Sequence, residues 1–131
     1  MSGTHPEADV KRILVVDDSG AIRKAIRRIL EPMGYHVEEA GDGAIGLQQC
    51  EAGAYDAVLC DIDMPNLDGL GFLGALRSRS DLAQPPVIMC TTHNTFDKIQ
   101  AALGLGASEY IMKPFDAEII GGKLAGCGVH P

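Results

Sequence analysis

Five short apolar runs punctuate the chain, at residues 13–16 (ILVV), 35–37 (YHV), 57–60 (AVLC), 87–90 (VIMC) and 110–112 (YIM). Apart from the second they are continuous rather than alternating, the pattern of parallel strands covered on both faces. Glu38 and Glu39 follow the second run at once, so it is expected at a sheet edge. The segments between the runs have helical spacing. In residues 19–33, Ile22, Ala25, Ile26, Ile29, Leu30 and Met33 form one stripe, with Ser19 as N-cap and Gly34 as stop. Asp42 caps a second helix that ends near Ala52, and residues 67–77 form a third through Leu70, Leu73 and Leu76. Phe96, Ile99, Ala102 and Leu103 mark a fourth. A fifth starts at Asp116 and uses Ile119, Ile120 and Leu124, but Gly121 and Gly122 in its interior predict a short or frayed helix.

Strands that alternate with helices imply right-handed βαβ units, an α/β doubly wound domain with helices on both faces of a parallel sheet. At 131 residues the chain suits one domain, expected over residues 11–131 behind a flexible segment 1–10. Eleven Lys and Arg against eighteen Asp and Glu give a net charge of −7, which argues against a nucleic-acid partner. No apolar stretch approaches the ~20 residues of a membrane helix, and the start of the chain lacks a secretion signal. Cys50, Cys60, Cys90 and Cys127 show no metal-binding spacing. The expectation is a cytoplasmic protein with free thiols and no membrane insertion.

In such a sheet, ligands bind beyond the carboxyl ends of the strands. Asp17 and Asp18 follow the first run, Asp61 the third, Thr91 and Thr92 the fourth, and Lys113 the fifth. Each has an ordinary reading when taken singly: an Asp pair as a turn and helix cap, a threonine bonded to backbone, a solvated lysine. Together they converge on one edge. Close carboxylates repel unless a cation intervenes, and Mg²⁺ suits carboxylate and phosphate oxygens. A carboxylate can also accept a phosphoryl group as nucleophile.

The stretches ILVVDDS (13–19), AVLCDIDMPNLDGLGFL (57–73), PVIMCTT (86–92) and GASEYIMKPF (106–115) resemble the receiver domain of two-component response regulators. The resemblance covers residues 11–124 and lies nearest to single-domain chemotaxis regulators of the CheY type. It implies a flavodoxin-like (βα)5 fold with strand order 2-1-3-4-5. It also implies that Asp61 is the phosphoacceptor and that Asp17, Asp18, Asp61 and the backbone carbonyl of Asp63 hold Mg²⁺. Thr91, Thr92 and Lys113 would meet the phosphoryl group, Thr91 and Tyr110 would form the switch, and the Lys113–Pro114 bond would be cis. By the same resemblance Asp63 and His93 would occupy positions that tune phosphoryl lifetime, against the ordinary reading of both as solvent-facing loop residues.

Arg23, Lys24, Arg27 and Arg28 make a basic stripe on the first helix of an acidic protein. Such a stripe is ordinarily a solvated face; in receivers this helix borders the site and docks the phosphodonor. The implied partners are a histidine kinase or histidine phosphotransfer domain and a downstream protein, a flagellar motor switch or relay component, with the chain acting as a monomer. Seven residues follow Leu124, so no effector domain is expected and output would be a binding event. A poorly formed fifth helix would weaken a motor-binding face. Three roles compete: chemotaxis regulator, phosphorelay intermediate and phosphate sink. A phosphatase of the haloacid-dehalogenase type is the alternative from another class, since Asp61-Ile62-Asp63 offers its DxD pair. That pair would usually follow the first strand, and the chain has no room for a cap domain.

Overall fold

The structure is a computed structural model, and it describes residues 10–92, 96–113 and 115–131. Five strands, β1 (Arg12–Val16), β2 (His36–Ala40), β3 (Ala57–Asp61), β4 (Val87–Thr91) and β5 (Glu109–Met112), alternate with five helices. The helices are α1 (Gly20–Leu30), α2 (Gly43–Ala52), α3 (Gly69–Arg77), α4 (Phe96–Gly104) and α5 (Ala117–Gly126). The sheet order is β2-β1-β3-β4-β5 and every pairing is parallel. This is the expected doubly wound topology, with β2 at an edge. The flexible segment expected over residues 1–10 lies, but for Val10, outside the described residues.

Strand alternation feeds two cores. Ile13, Val15, Ala57, Leu59, Ile88 and Cys90 pack with Ile26 and Leu30 of α1 and Ile120 and Leu124 of α5. Leu14, Val16, Val58, Cys60, Val87 and Met89 pack on the other face with Phe72, Leu73 and Leu76 of α3. Because successive side chains point to opposite faces, a strand with both faces covered must be apolar at every position. All four cysteines are free, and Cys60 and Cys90 lie in different cores. Among the described residues, no helix is long and apolar enough to cross a membrane.

The helix starts follow the sequence closely. The side chains of Ser19, Asp42, Asp68 and Asp116 accept the backbone N–H of Ile22, Ile45, Gly71 and Ile119, capping α1, α2, α3 and α5.

Three expectations change. The strand expected at 35–37 is His36–Ala40, and it runs through both glutamates because each finds cations: Glu38 takes Arg12, and Glu39 takes Arg23 and Arg27. The α-helical part of α1 stops at Leu30, and Glu31–Met33 form a 3-10 turn that ends on Gly34 at φ 105°. The fifth helix is neither short nor frayed. Ile120 and Leu124 are fully buried, and their packing outweighs two glycines whose intrinsic cost is up to ~1 kcal/mol each. A Cβ on Gly121 would come within 3.0 Å of the Met33 methyl, so the glycine also allows α5 to lie close to the end of α1.

Candidate functional site

The carboxyl ends of β1, β3 and β5 bring four of the expected groups together, Asp17, Asp18, Asp61 and Lys113. Asp17, immediately after β1, is 2% exposed. One of its oxygens accepts the Ser19 N–H at 2.9 Å, and the other accepts Lys113 Nζ at 3.0 Å. Lys113 reaches it because its own N–H donates to the Thr91 carbonyl at 2.8 Å, which extends the β4–β5 pairing beyond the strand. Asp61 ends β3, accepts the Ile62 N–H at 2.9 Å and lies 3.6 Å from Lys113 Nζ. Asp18 is exposed. Carboxylate oxygens of Asp17, Asp18 and Asp61 all lie within 4.8 Å of one another.

The electrostatics follow from that crowding. Burial pushes the Asp61 carboxyl above its ordinary range, and the charges of Asp17 and Asp18 push the same way against Lys113 and the Ile62 N–H. For Lys113, burial alone would lower the ammonium. The hydrogen bond to Asp17 and the charges of Asp17 and Asp61 outweigh it and hold it above its ordinary value. Three carboxylate oxygens this close, opposed by one ammonium, make a donor set that fits a hard divalent cation such as Mg²⁺.

Thr91 is fully buried and belongs to the same sheet face as Val87 and Met89. Tyr110, paired in register with Met89, packs partly buried against the α3-side core. Lys123 of α5 sits 5.7 Å above its ring and 3.2 Å from Glu109. Thr92 is exposed and lines a cleft of 390 Å³ with Ile22 and Ala25 of α1, Lys113 and Phe115. Asp63 is exposed, and its carboxylate takes Lys98 of α4 at 2.7 Å. His93 and Pro114 lie outside the described residues.

The basic stripe of α1 divides in two. Arg23 and Arg27 both bind Glu39, at 3.0 and 2.8 Å, and Arg23 also donates to the Asp17 carbonyl at 2.6 Å. Lys24 and Arg28 are exposed.

Several contributors escape the residue-by-residue reading. A Cβ on Gly69 would fall on the Asp61 carbonyl oxygen, so this glycine lets α3 begin directly against the end of β3. Lys98 and Glu39 are also part of the surroundings. Only the glycine had a sequence signal, as a residue without a side chain at the first turn of a helix that follows a candidate site.

The family model described as response regulator receiver domain matches residues 13–124. The chain belongs to this family. The receiver is 41% identical over 107 residues to the transcriptional regulatory protein DltR of Streptococcus agalactiae, a match covering 82% of this chain and 47% of DltR. It is equally identical over 107 residues to the response regulator MprA of Mycobacterium ulcerans, covering 45% of that protein. The chain thus spans about half the length of these curated relatives. Among solved structures it is similar to the chemotaxis protein CheY4 of Vibrio cholerae, with a TM-score of 0.84 and 32% identity over 90% of this chain and 98% of that one. A receiver is a signalling phosphoacceptor domain, so the acidic cluster is its expected Mg²⁺ site.

Proposed function

We propose that this receiver takes a phosphoryl group onto Asp61 from a histidine kinase or histidine phosphotransfer domain and signals through altered protein contacts. The observation that carries the reading is the Lys113 ammonium set between Asp17 and Asp61 beside a third carboxylate. Asp17, Asp18 and Asp61, with the Asp63 backbone carbonyl, would hold Mg²⁺, which when bound neutralises charge on the transferring phosphoryl oxygens. A carboxylate oxygen of Asp61 forms the new O–P bond as the P–N bond to the donor imidazole breaks, and the electron pair leaves with that nitrogen. Lys113 and the Thr91 hydroxyl bind the phosphoryl oxygens, and exposed Thr92 leaves the approach open.

The modification adds roughly −1.5 to −2 charges and three acceptors. Thr91 is drawn towards them, and Tyr110, on the same face of the sheet, repacks between Lys123 and the core. The two-state surface is that of α4, β5 and α5. The donor's helix would lie on α1, with Ile22, Ala25 and Phe115 offering apolar contact and Lys24 and Arg28 the charge.

The chemotaxis role draws on the likeness to CheY4, which the match spans almost end to end. The identity to the transcriptional regulatory protein DltR supports a second reading, the receiver portion of a transcription regulator. In either case the domain's charge of −7 favours protein over direct nucleic-acid contact. Capture of partners by the beryllofluoride-activated chain, against an Asp61→Asn control, tests the reading. Activation-dependent capture of a motor or other signalling protein supports it, and identical partners with and without activation contradict it.

A further inference from the structure

The loop between β3 and α3 carries the acceptor at one end and is fixed by contacts at both. The Gly69 N–H donates to the Ile62 carbonyl at 2.8 Å, closing the loop on itself. Its outer edge is held by the start of α2. The Gly43 N–H donates to the Leu67 carbonyl at 3.0 Å, and a Cβ on Gly43 would strike that carbonyl. Beside it, the Asn66 side-chain amide donates to Asp42 Oδ2 at 2.8 Å, across 24 residues of sequence.

Asp42 therefore serves two elements with its two oxygens. Oδ1 caps α2 by accepting the Ile45 N–H at 2.8 Å, and Oδ2 holds the loop. Asn66 has φ 65°, the one non-glycine among the described residues with positive φ. Asparagine tolerates that conformation better than most residues, and here its side chain is held while the backbone turns.

We propose that Asp42 and Asn66 are a positioning pair for the phosphoacceptor. Together they pin the β3–α3 loop to the first turn of α2 and so fix the backbone from which Asp61 and Asp63 project. The pair acts through that backbone and touches no reacting atom. The inference rests on Asp61 being the acceptor. Phosphoryl transfer depends on placement more than on covalent chemistry by the protein, so a loosened loop should slow the transfer itself.

The test uses the full chain with Mg²⁺ and phosphoramidate as donor, following Asp61 modification by intact mass across donor concentrations. Asn66→Gly keeps the positive φ and removes the amide. Asp42→Ser keeps a helix cap but is too short to hold Asn66. Asp42→Asn restores both contacts, because the Asn66 amide can turn over and offer its oxygen. Each of the first two variants should lower the maximal rate by about two- to tenfold, the worth of one net hydrogen bond, with the half-saturating donor concentration little changed. The double variant should be no slower than the slower single variant, and Asp42→Asn should stay within about twofold of wild type. Wild-type maximal rates in both Asn66→Gly and Asp42→Ser, with or without a lower melting temperature, would make the contact merely structural and overturn the proposal, as would multiplicative effects in the double variant. A wild-type chain that takes up no phosphoryl group would instead overturn the acceptor reading beneath it.

Discussion

Lys113 Nζ lies 3.0 Å from Asp17 and 3.6 Å from Asp61, so the ammonium is hydrogen-bonded to Asp17 rather than to Asp61, the proposed acceptor. A cation held at Asp17 would compete with Lys113 and leave the ammonium available to the phosphoryl oxygens.

That competition predicts opposite effects from one substitution. Lys113→Met should tighten Mg²⁺ binding by at least roughly tenfold, since a unit charge 4 Å away is worth about 4 kcal/mol at an effective dielectric of 20. The same variant should phosphorylate more slowly, because a cation facing the transferred group is gone. Calorimetric Mg²⁺ titration and donor kinetics measure the two. Weaker Mg²⁺ binding in the variant contradicts the competition.

The two halves of the basic stripe should behave differently. Arg23 and Arg27 neutralise Glu39, so Glu39→Ala should cost about 1–2 kcal/mol, more than an isolated surface pair. Burial alone would raise the Glu39 carboxyl, but the hydrogen bonds and charges of Arg27 and Arg23 outweigh it and hold it below its ordinary value. Its stabilisation is therefore present at neutral pH and fades as pH falls through that lowered value. Lys24→Ala with Arg28→Ala should barely change stability and should slow transfer from an acidic phosphodonor at low salt. Unaltered transfer rates at low ionic strength would remove those two residues from the docking face.

Asp61 has the reverse pH dependence. Burial raises its carboxyl, so the folded chain binds a proton there more readily than the unfolded chain, and ionisation costs stability as pH rises through the carboxylate range. Without divalent metal, Asp61→Asn should melt above wild type at pH 7, with the gap narrowing as pH falls through the raised value of the Asp61 carboxyl and closed below about 4. Thermal melts across that range check it, and a variant that melts below wild type at pH 7 is the contrary result.

The Asp63–Lys98 pair joins the β3–α3 loop to α4 at 2.7 Å, with side chains 46% and 41% exposed. Pairs this exposed contribute about 0–1 kcal/mol, so Asp63→Ala and Lys98→Ala should fold normally. The phosphorylated form of Asp63→Ala should have a changed half-life while still being made, and the same holds for His93→Ala. Half-lives equal to wild type in the Asp63 and His93 variants would end their assignment as tuning residues.

The sheet was legible because both of its faces are covered: runs such as 13–16 and 87–90 admit little but a buried strand. Asp17, Asp61 and Lys113 were legible because topology alone puts strand ends together. Less visible was whatever depends on partners far along the chain. His36–Ala40 carries two glutamates through an edge strand only because Arg12, Arg23 and Arg27 meet them. Helix α5 tolerates Gly121 because Met33 fills the space beside it. Asn66 reads locally as a turn residue, and nothing in its neighbourhood announces Asp42.

Intact-mass analysis of the chain incubated with Mg²⁺ and a small phosphodonor tests the central claim most directly. The account predicts a single adduct of about 80 Da, the mass of a phosphoryl group, localised to Asp61, not formed when the metal is chelated beforehand and absent from Asp61→Asn. An adduct that persists unchanged in Asp61→Asn, or none in the wild-type chain, contradicts it.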